Sequence, residues 1–314
     1  MVSVLVLPSA HAGSTDPADL LEQTRAASAG ATVAGVVEVR WLDGETVHVG
    51  RTGAHARGGA YVVGRGDDVA VGVGGVRWAA TEGINTWNSD AGRQPPHPGA
   101  AWDLSLDGDA EVAGRPVTVV VARRDDGPVR ARFFIDQASG LLLRRDVLQR
   151  DGEVVRSVRY TQVATDAVAP PVLVAPPDSR QPVSNDGVGD GFVAPERLDD
   201  GFRLLGHSEH PDGAVQLFYS DGLFSLSLFQ QQGLVDWGSL PDGGRPVTVD
   251  SDKARWYSTD AGSVVVWGRD GLVLTGVSDA PPDTVRAAVA TIDGRDTGVL
   301  EDIADFVLGP FGWE

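Results

Sequence analysis

The densest set of side chains able to ligate a metal or move a proton is His207, Glu209, His210 and Asp212, with the two histidines three residues apart. A structural zinc site recruits four firm ligands at regular spacing; this set sits just ahead of the apolar run from Ala214 and reads as a polar hairpin loop. His48, His55 and His97 are scattered, and the acid pairs Asp67-Asp68, Asp125-Asp126 and Asp199-Asp200 fall at turns, where Asp is favoured for its bonds to nearby backbone. Asp186 and Asp190, with glycines between them, lack the alternating ligands and closing Glu of an EF-hand. There is no cysteine, which excludes thiolate zinc sites, iron–sulfur clusters, disulfides and cysteine nucleophiles, and Lys253 is the one lysine among 26 basic residues. Walker, H-E-x-x-H and G-x-S-x-G motifs and a nucleotide fingerprint between a strand and a helix are missing. The expectation is a binding protein with no catalytic residue, no metal and no cofactor.

Two groups of residues could bind rather than react. Trp87 and Trp102 flank a Pro-rich flap, Gln94-Pro95-Pro96-His97-Pro98. A concave apolar face beneath such a flap suits an acyl chain or an extended peptide, so Trp41, Trp78, Trp87, Trp102 and Phe133 are the candidate groove, with plain core packing as the competing reading. Residues 123–159 hold nine arginines against six acids. Within them Arg130, Arg132, Arg144 and Arg145 are a candidate anion or acidic-peptide surface, against the alternative of an ordinary solvated face with cross-strand ion pairs.

The elements that must position these residues are β-rich. In 314 residues there are 40 Gly and 19 Pro, a composition suited to short strands and tight turns. Asp16 as cap, Pro17 in the first turn and Gly30 as stop predict a helix over 16–29. Period-two patterning then predicts strands at 33–41, 46–51, 60–63 and 69–78, an irregular stretch over 85–102, and a four-strand meander at 115–124, 129–135, 141–149 and 154–163. In the second meander strand Val129, Ala131, Phe133 and Ile135 form an apolar face that needs a cover, and the 16–29 helix is the obvious one. Residues 169–195 have linker composition and are expected to permit relative domain motion. A second antiparallel sheet follows, with strands at 202–207, 214–219, 223–230, 254–259, 263–269 and 272–277, then helices from Pro282 and over 300–308. The expected division is 1–12 signal-like, 13–168 first domain, 169–195 linker, and 196–314 a smaller α+β C-terminal domain.

Net charge is -18, so nucleic acid is an unsuitable partner. Residues 1–168 carry 21 acids against 17 bases, and residues 169–314 carry 23 against 9. The apolar stretch Val2 to Pro8 followed by Ala10-His11-Ala12 reads as a secretory signal with its cleavage pattern, although no basic residue precedes Arg25; either translation starts upstream of Met1 or the stretch is a buried strand. Export to the envelope side of the cytoplasmic membrane is the expectation.

The segment Phe133-Phe134-Ile135-Asp136-Gln137-Ala138-Ser139-Gly140-Leu141-Leu142-Leu143-Arg144-Arg145, with Tyr160-Thr161 beyond it, resembles the "Asp-x-x-Thr-Gly-Leu-x-Leu-Arg" meander of the MucB/RseB regulatory proteins. Tyr219-Ser220-Asp221-Gly222-Leu223, continuing to Phe229, is similar to that family's "Tyr-Ser-Asp-Gly-Leu" hairpin, and the resemblance runs in order over roughly residues 16–292. It implies a first domain like the lipoprotein carriers LolA and LolB, an unclosed antiparallel β half-barrel with covering helices. It further implies an exported negative regulator that binds the extracytoplasmic part of a membrane-bound anti-sigma factor and responds to an amphiphile or envelope stress. A lipid or lipoprotein carrier of LolA type is the alternative.

Overall fold

The computed structural model describes residues 16–57, 60–65, 68–73, 96–165, 188–189, 191–210 and 213–292. The signal-like stretch, Trp78, Trp87, Asp212, most of the linker and the helix expected at 300–308 lie outside the described residues. Helix α1 spans Pro17–Gly30; the Asp16 carboxylate accepts from the Ala18 N–H at 2.8 Å, and Pro17 occupies the first turn, where its missing N–H costs nothing. It buries Leu21 and Thr24, the latter back-bonded to the Leu20 carbonyl.

Nine strands follow: β1 Thr32–Asp43, β2 Thr46–Arg57, β3 Ala60–Arg65, β4 Asp68–Val73, β5 Asp103–Val112, β6 Arg115–Arg123, β7 Val129–Asp136, β8 Leu142–Leu148 and β9 Val154–Ala164. They form one antiparallel sheet in the order β4-β3-β2-β1-β9-β8-β7-β6-β5, whose outer strands β4 and β5 do not pair, so the sheet is not closed. The β1–β9 pairing joins the N-terminal hairpins to the meander, with a bulge at Val36/Val37. There Gly35 lies so near β9 that a Cβ would stand 2.2 Å from the Gln162 carbonyl oxygen, a close approach only glycine permits. Strand β5 was not expected from the sequence: Asp-Leu-Ser-Leu-Asp-Gly-Asp-Ala-Glu-Val carries four acids and a glycine, and most of it is exposed at the sheet edge.

The second sheet comprises β10 Arg203–Glu209, β11 Val215–Ser220, β12 Ser225–Gln232, β13 Arg245–Val249, β14 Asp252–Thr259, β15 Gly262–Arg269 and β16 Leu272–Ser278, in the order β10-β11-β12-β16-β15-β14-β13. Strand β13 was also unexpected; it is a short edge strand containing Pro246, where a missing ladder donor is tolerated. Helix α2, Pro282–Ala290, buries Val285, Ala288 and Val289, and with Ile292 they pack into the cluster that holds Trp256 and Trp267. Residues 191–195, at the end of the expected linker, pack on this sheet: Val193 exchanges two hydrogen bonds with the Gln230 side chain, and the Pro195 carbonyl accepts from the Tyr219 hydroxyl at 3.0 Å.

The protein is thus β-rich α+β, two open antiparallel sheets with few helices. One buried apolar cluster runs from Leu21, Val120, Phe133 and Val147 to Phe224, Leu226 and Trp256. The apolar face of β7 is therefore covered by more than the expected helix. Ala131, Phe133 and Ile135 belong to the cluster that also holds Leu21 of α1 and side chains of the second sheet, while Val129 belongs to a separate cluster with Ala27.

Candidate functional site

Strand alternation sorts the meander arginines between two faces. Directly opposed residues share a face, and the register sets Trp41 against Arg156, Arg156 against Val147, Val147 against Ala131, and Arg145 against both Phe133 and Val158. This face meets the second sheet. Arg145 donates to the Asp279 carboxylate at 2.6 Å and to the Leu223 carbonyl at 3.0 Å, its guanidinium 4.8 Å from the centre of the Phe224 ring. Arg156 donates through Nε to the Asp260 carbonyl at 2.9 Å. From the bulged start of β7, Arg130 reaches Asp283 and Thr284 at the first turn of α2, and Arg150 adds a second contact to Asp283.

The tip of the β11–β12 hairpin is held by further arginines, from α1 and from just after β6. Asp221 Oδ1 accepts the backbone N–H groups of Leu223 and Phe224, closing the turn on itself, and Oδ2 accepts from Arg124 at 2.8 Å. Arg25 of α1 donates to the Gly222 carbonyl at 3.2 Å. Gly222 has φ +97° and lies against Pro96 and Pro98, so a Cβ would stand 2.7 Å from the Pro96 carbonyl oxygen. Trp102 completes the seat, its ring edge-on to Phe224 at 5.5 Å and Arg124 stacked over it at 4.3 Å.

The charges here are desolvated to different degrees of compensation. Burial pushes the Asp221 carboxyl up to about 6, against the opposing pull of Arg124 and the two backbone donors. Burial likewise lowers Arg156 to about 10, with Asp279 opposing and Arg145 reinforcing the shift. Both terminal nitrogens of Arg156 are buried without an acceptor among the described residues. An unpartnered buried donor costs about 1–3 kcal/mol, more when charged, so the contact between the sheets closes against a local penalty.

The candidate residues thus occupy several settings. Trp102 and Phe133 are buried in the contact with the second sheet. Trp41 is half-buried and stacks on His48 at 5.2 Å, beside Arg156. Of the four candidate arginines, Arg130 and Arg145 bond Asp283 and Asp279, which follow β16, whereas Arg132 and Arg144 lie on the opposite face, Arg144 paired to Asp146 at 2.8 Å and stacked on Phe134. His207 is buried in β10, and the His210 ring contacts the Gln216 side-chain oxygen at 3.4 Å. Among the described residues no group of three His, Asp or Glu could hold a metal ion, and no helix is long and apolar enough to cross a membrane. Arg25, Asp221, Asp279 and Asp283 are not among the candidate residues of the sequence, and Arg124 and Arg156 stand there only within the nine arginines of residues 123–159. Of Arg25 and the three acids, Asp221 carries a signal in the sequence, lying inside the hairpin motif of the family resemblance.

Comparison with known proteins adds sequence likeness to this geometry. Residues 62–182 match the profile of the MucB/RseB N-terminal domain. The chain is 32% identical over 140 residues to the sigma factor AlgU regulatory protein MucB of Pseudomonas aeruginosa, an alignment of 41% of this chain and 44% of that protein. It is 30% identical over 147 residues to the sigma-E factor regulatory protein RseB of Haemophilus influenzae, with the same coverage of each. A 192-residue stretch, 58% of this chain, is 31% identical to 28% of the tRNA 5-methylaminomethyl-2-thiouridine biosynthesis bifunctional protein MnmC of Burkholderia lata. The chain therefore spans less than half the length of these curated relatives. The crystal structure of MucB in complex with MucA(peri) aligns with 90% of this chain and 100% of that one, at 18% identity and a TM-score of 0.49.

Proposed function

We propose, from the likeness of residues 62–182 to the MucB/RseB N-terminal domain and of the chain to MucB and RseB, that this is an exported, non-enzymatic regulator of MucB/RseB type that binds the extracytoplasmic part of a membrane-bound anti-sigma factor. The observation that carries the proposal is the family match over 62–182, which takes in β5 to β9 and with them the arginine-bearing meander. MucB, a relative by sequence, has been crystallised with MucA(peri). Binding of a partner segment supplies regulation without chemistry, in keeping with a site made of ion pairs and apolar contacts. We further propose that an amphiphile or an envelope stress acts through the contact between the two sheets. That contact holds partly uncompensated buried charge at Asp221 and Arg156, so a modest differential affinity would shift its population.

Crosslinking pull-down of the tagged protein from native membranes, with mass spectrometry of proteins and lipids, tests this reading. Recovery of a single-span anti-sigma factor in near-equal amount, lost on adding amphiphile, supports it. Stoichiometric lipid without that protein would overturn it in favour of a carrier of LolA type.

A further inference from the structure

The face of the first sheet turned away from the C-terminal domain is a basic stripe in an acidic protein. The register opposes Arg51 to Glu38, Glu38 to Arg159 and Arg159 to Arg144 in one row across four strands. In the next row it opposes Val49 to Arg40, Arg40 to Ser157, Ser157 to Asp146 and Asp146 to Arg132. In these two rows five arginines stand with two carboxylates. Those two are already engaged: Glu38 is buried and held by Arg51 and Arg159, and Asp146 is buried and held by Arg144 and Ser157. Arg40 is exposed and Arg132 half-buried, and neither has a carboxylate partner among the described residues. Beside them Val47 and Val49 are 51% and 54% exposed.

We propose that this stripe is the docking surface for an extended, acidic segment of a partner protein, with carboxylates on Arg40 and Arg132 and an apolar side chain on Val47 or Val49. Guanidinium forks match carboxylates in two-point contacts. Five strands at about 4.8 Å spacing span roughly 20 Å, the length of about six extended residues. A segment of that size senses the local positive excess. An anionic membrane, far wider than the stripe, meets the field of a protein with net charge -18 and is repelled. The inference rests on the regulator reading only for the partner's identity, since the charge pattern stands without it.

The test is fluorescence anisotropy of a labelled alternating Glu-Ser decapeptide with the full chain. Binding that weakens as salt is raised, at least tenfold weaker with Arg40→Glu/Arg132→Glu and with the milder Arg40→Gln/Arg132→Gln, and unchanged with Arg203→Glu on the second sheet, is expected. A thermal midpoint close to that of the parent keeps misfolding out of the comparison. No binding by the parent, or binding by both double variants as tight as the parent's, overturns the proposal. So does capture of phosphatidylglycerol vesicles through the same arginines without capture of the peptide. In the membrane pull-down, an anti-sigma factor recovered equally well by Arg40→Glu/Arg132→Glu would sink this inference and leave the regulator reading intact; peptide bound through the stripe with no anti-sigma factor recovered would do the reverse.

Discussion

Arg145 of β8 and Asp279, just past β16, meet at 2.6 Å with side chains only 1% and 2% exposed, joining the first sheet to the second. Asp279 also accepts the Ser225 backbone N–H at 2.7 Å, so one carboxylate ties the start of β12 to an arginine of the first sheet. Two charges removed from water are tolerated when each satisfies the other, and become costly when one is left alone.

Arg145→Met should therefore destabilise the protein by about 3–5 kcal/mol, read by urea unfolding. Adding Asp279→Asn should recover part of that loss, because the orphaned charge is removed. A single-variant effect under about 1 kcal/mol would contradict the view of this pair as a buried clamp.

Asp221 makes the same contact respond to pH in a direction opposite to ordinary acid lability. Its carboxyl is pushed up to about 6 by burial, above the usual carboxylate value, so folding takes up a proton between about pH 4 and pH 6. The stability it confers is greatest at low pH and is lost as pH rises through about 6. Relative to Asp221→Asn, the parent should gain about 1 kcal/mol between pH 7 and pH 5, measured by paired chemical denaturation. A constant difference across that range would refute the assignment.

Glu38 carries the opposite sign. The Arg51 hydrogen bond, set against burial and joined by Arg159, holds its carboxyl below the usual range. Its contribution is present at neutral pH and fades as pH falls through that lowered value. Glu38→Gln should reduce stability at pH 7 by about 1–2 kcal/mol and narrow the gap to the parent below about pH 4; matched melting curves at both pH values check this.

At the hairpin tip, Gly222→Ala should cost about 1–3 kcal/mol, since its φ of +97° is strained for any residue with a Cβ and the new carbon meets the Pro96 carbonyl. Small-angle scattering should report a larger radius for this variant, because the added methyl wedges the two sheets apart. Gly152→Ala, at φ +87° but with open space around it, should show the backbone strain without the expansion.

Much of the architecture was written locally. Asp16 and Pro17 announced α1, and the meander strands β6 to β9 were legible because apolar residues alternate between Gly- and Asp-bearing turns. Strands β5 and β13 were not legible, since sheet edges bury little and so leave little period in the sequence. The arginines of residues 123–159 were visible as a cluster, yet their division was not. Alternation along β8 sends Arg145 one way and Arg144 the other, and only the packing of the second sheet onto one of those faces decides which becomes a clamp.

What the sequence determined by itself is therefore the set of strands, the helix caps and the resemblance carried by the two hairpin motifs, all properties of contiguous residues. Tertiary structure alone decided that Asp221, Asp279 and Asp283 face Arg124, Arg145 and Arg130, and that Trp102 and Phe133 are buried against the second sheet. Those pairs stand roughly 100 to 150 residues apart in the chain, and no local pattern encodes a contact that exists only once two separately formed sheets have docked.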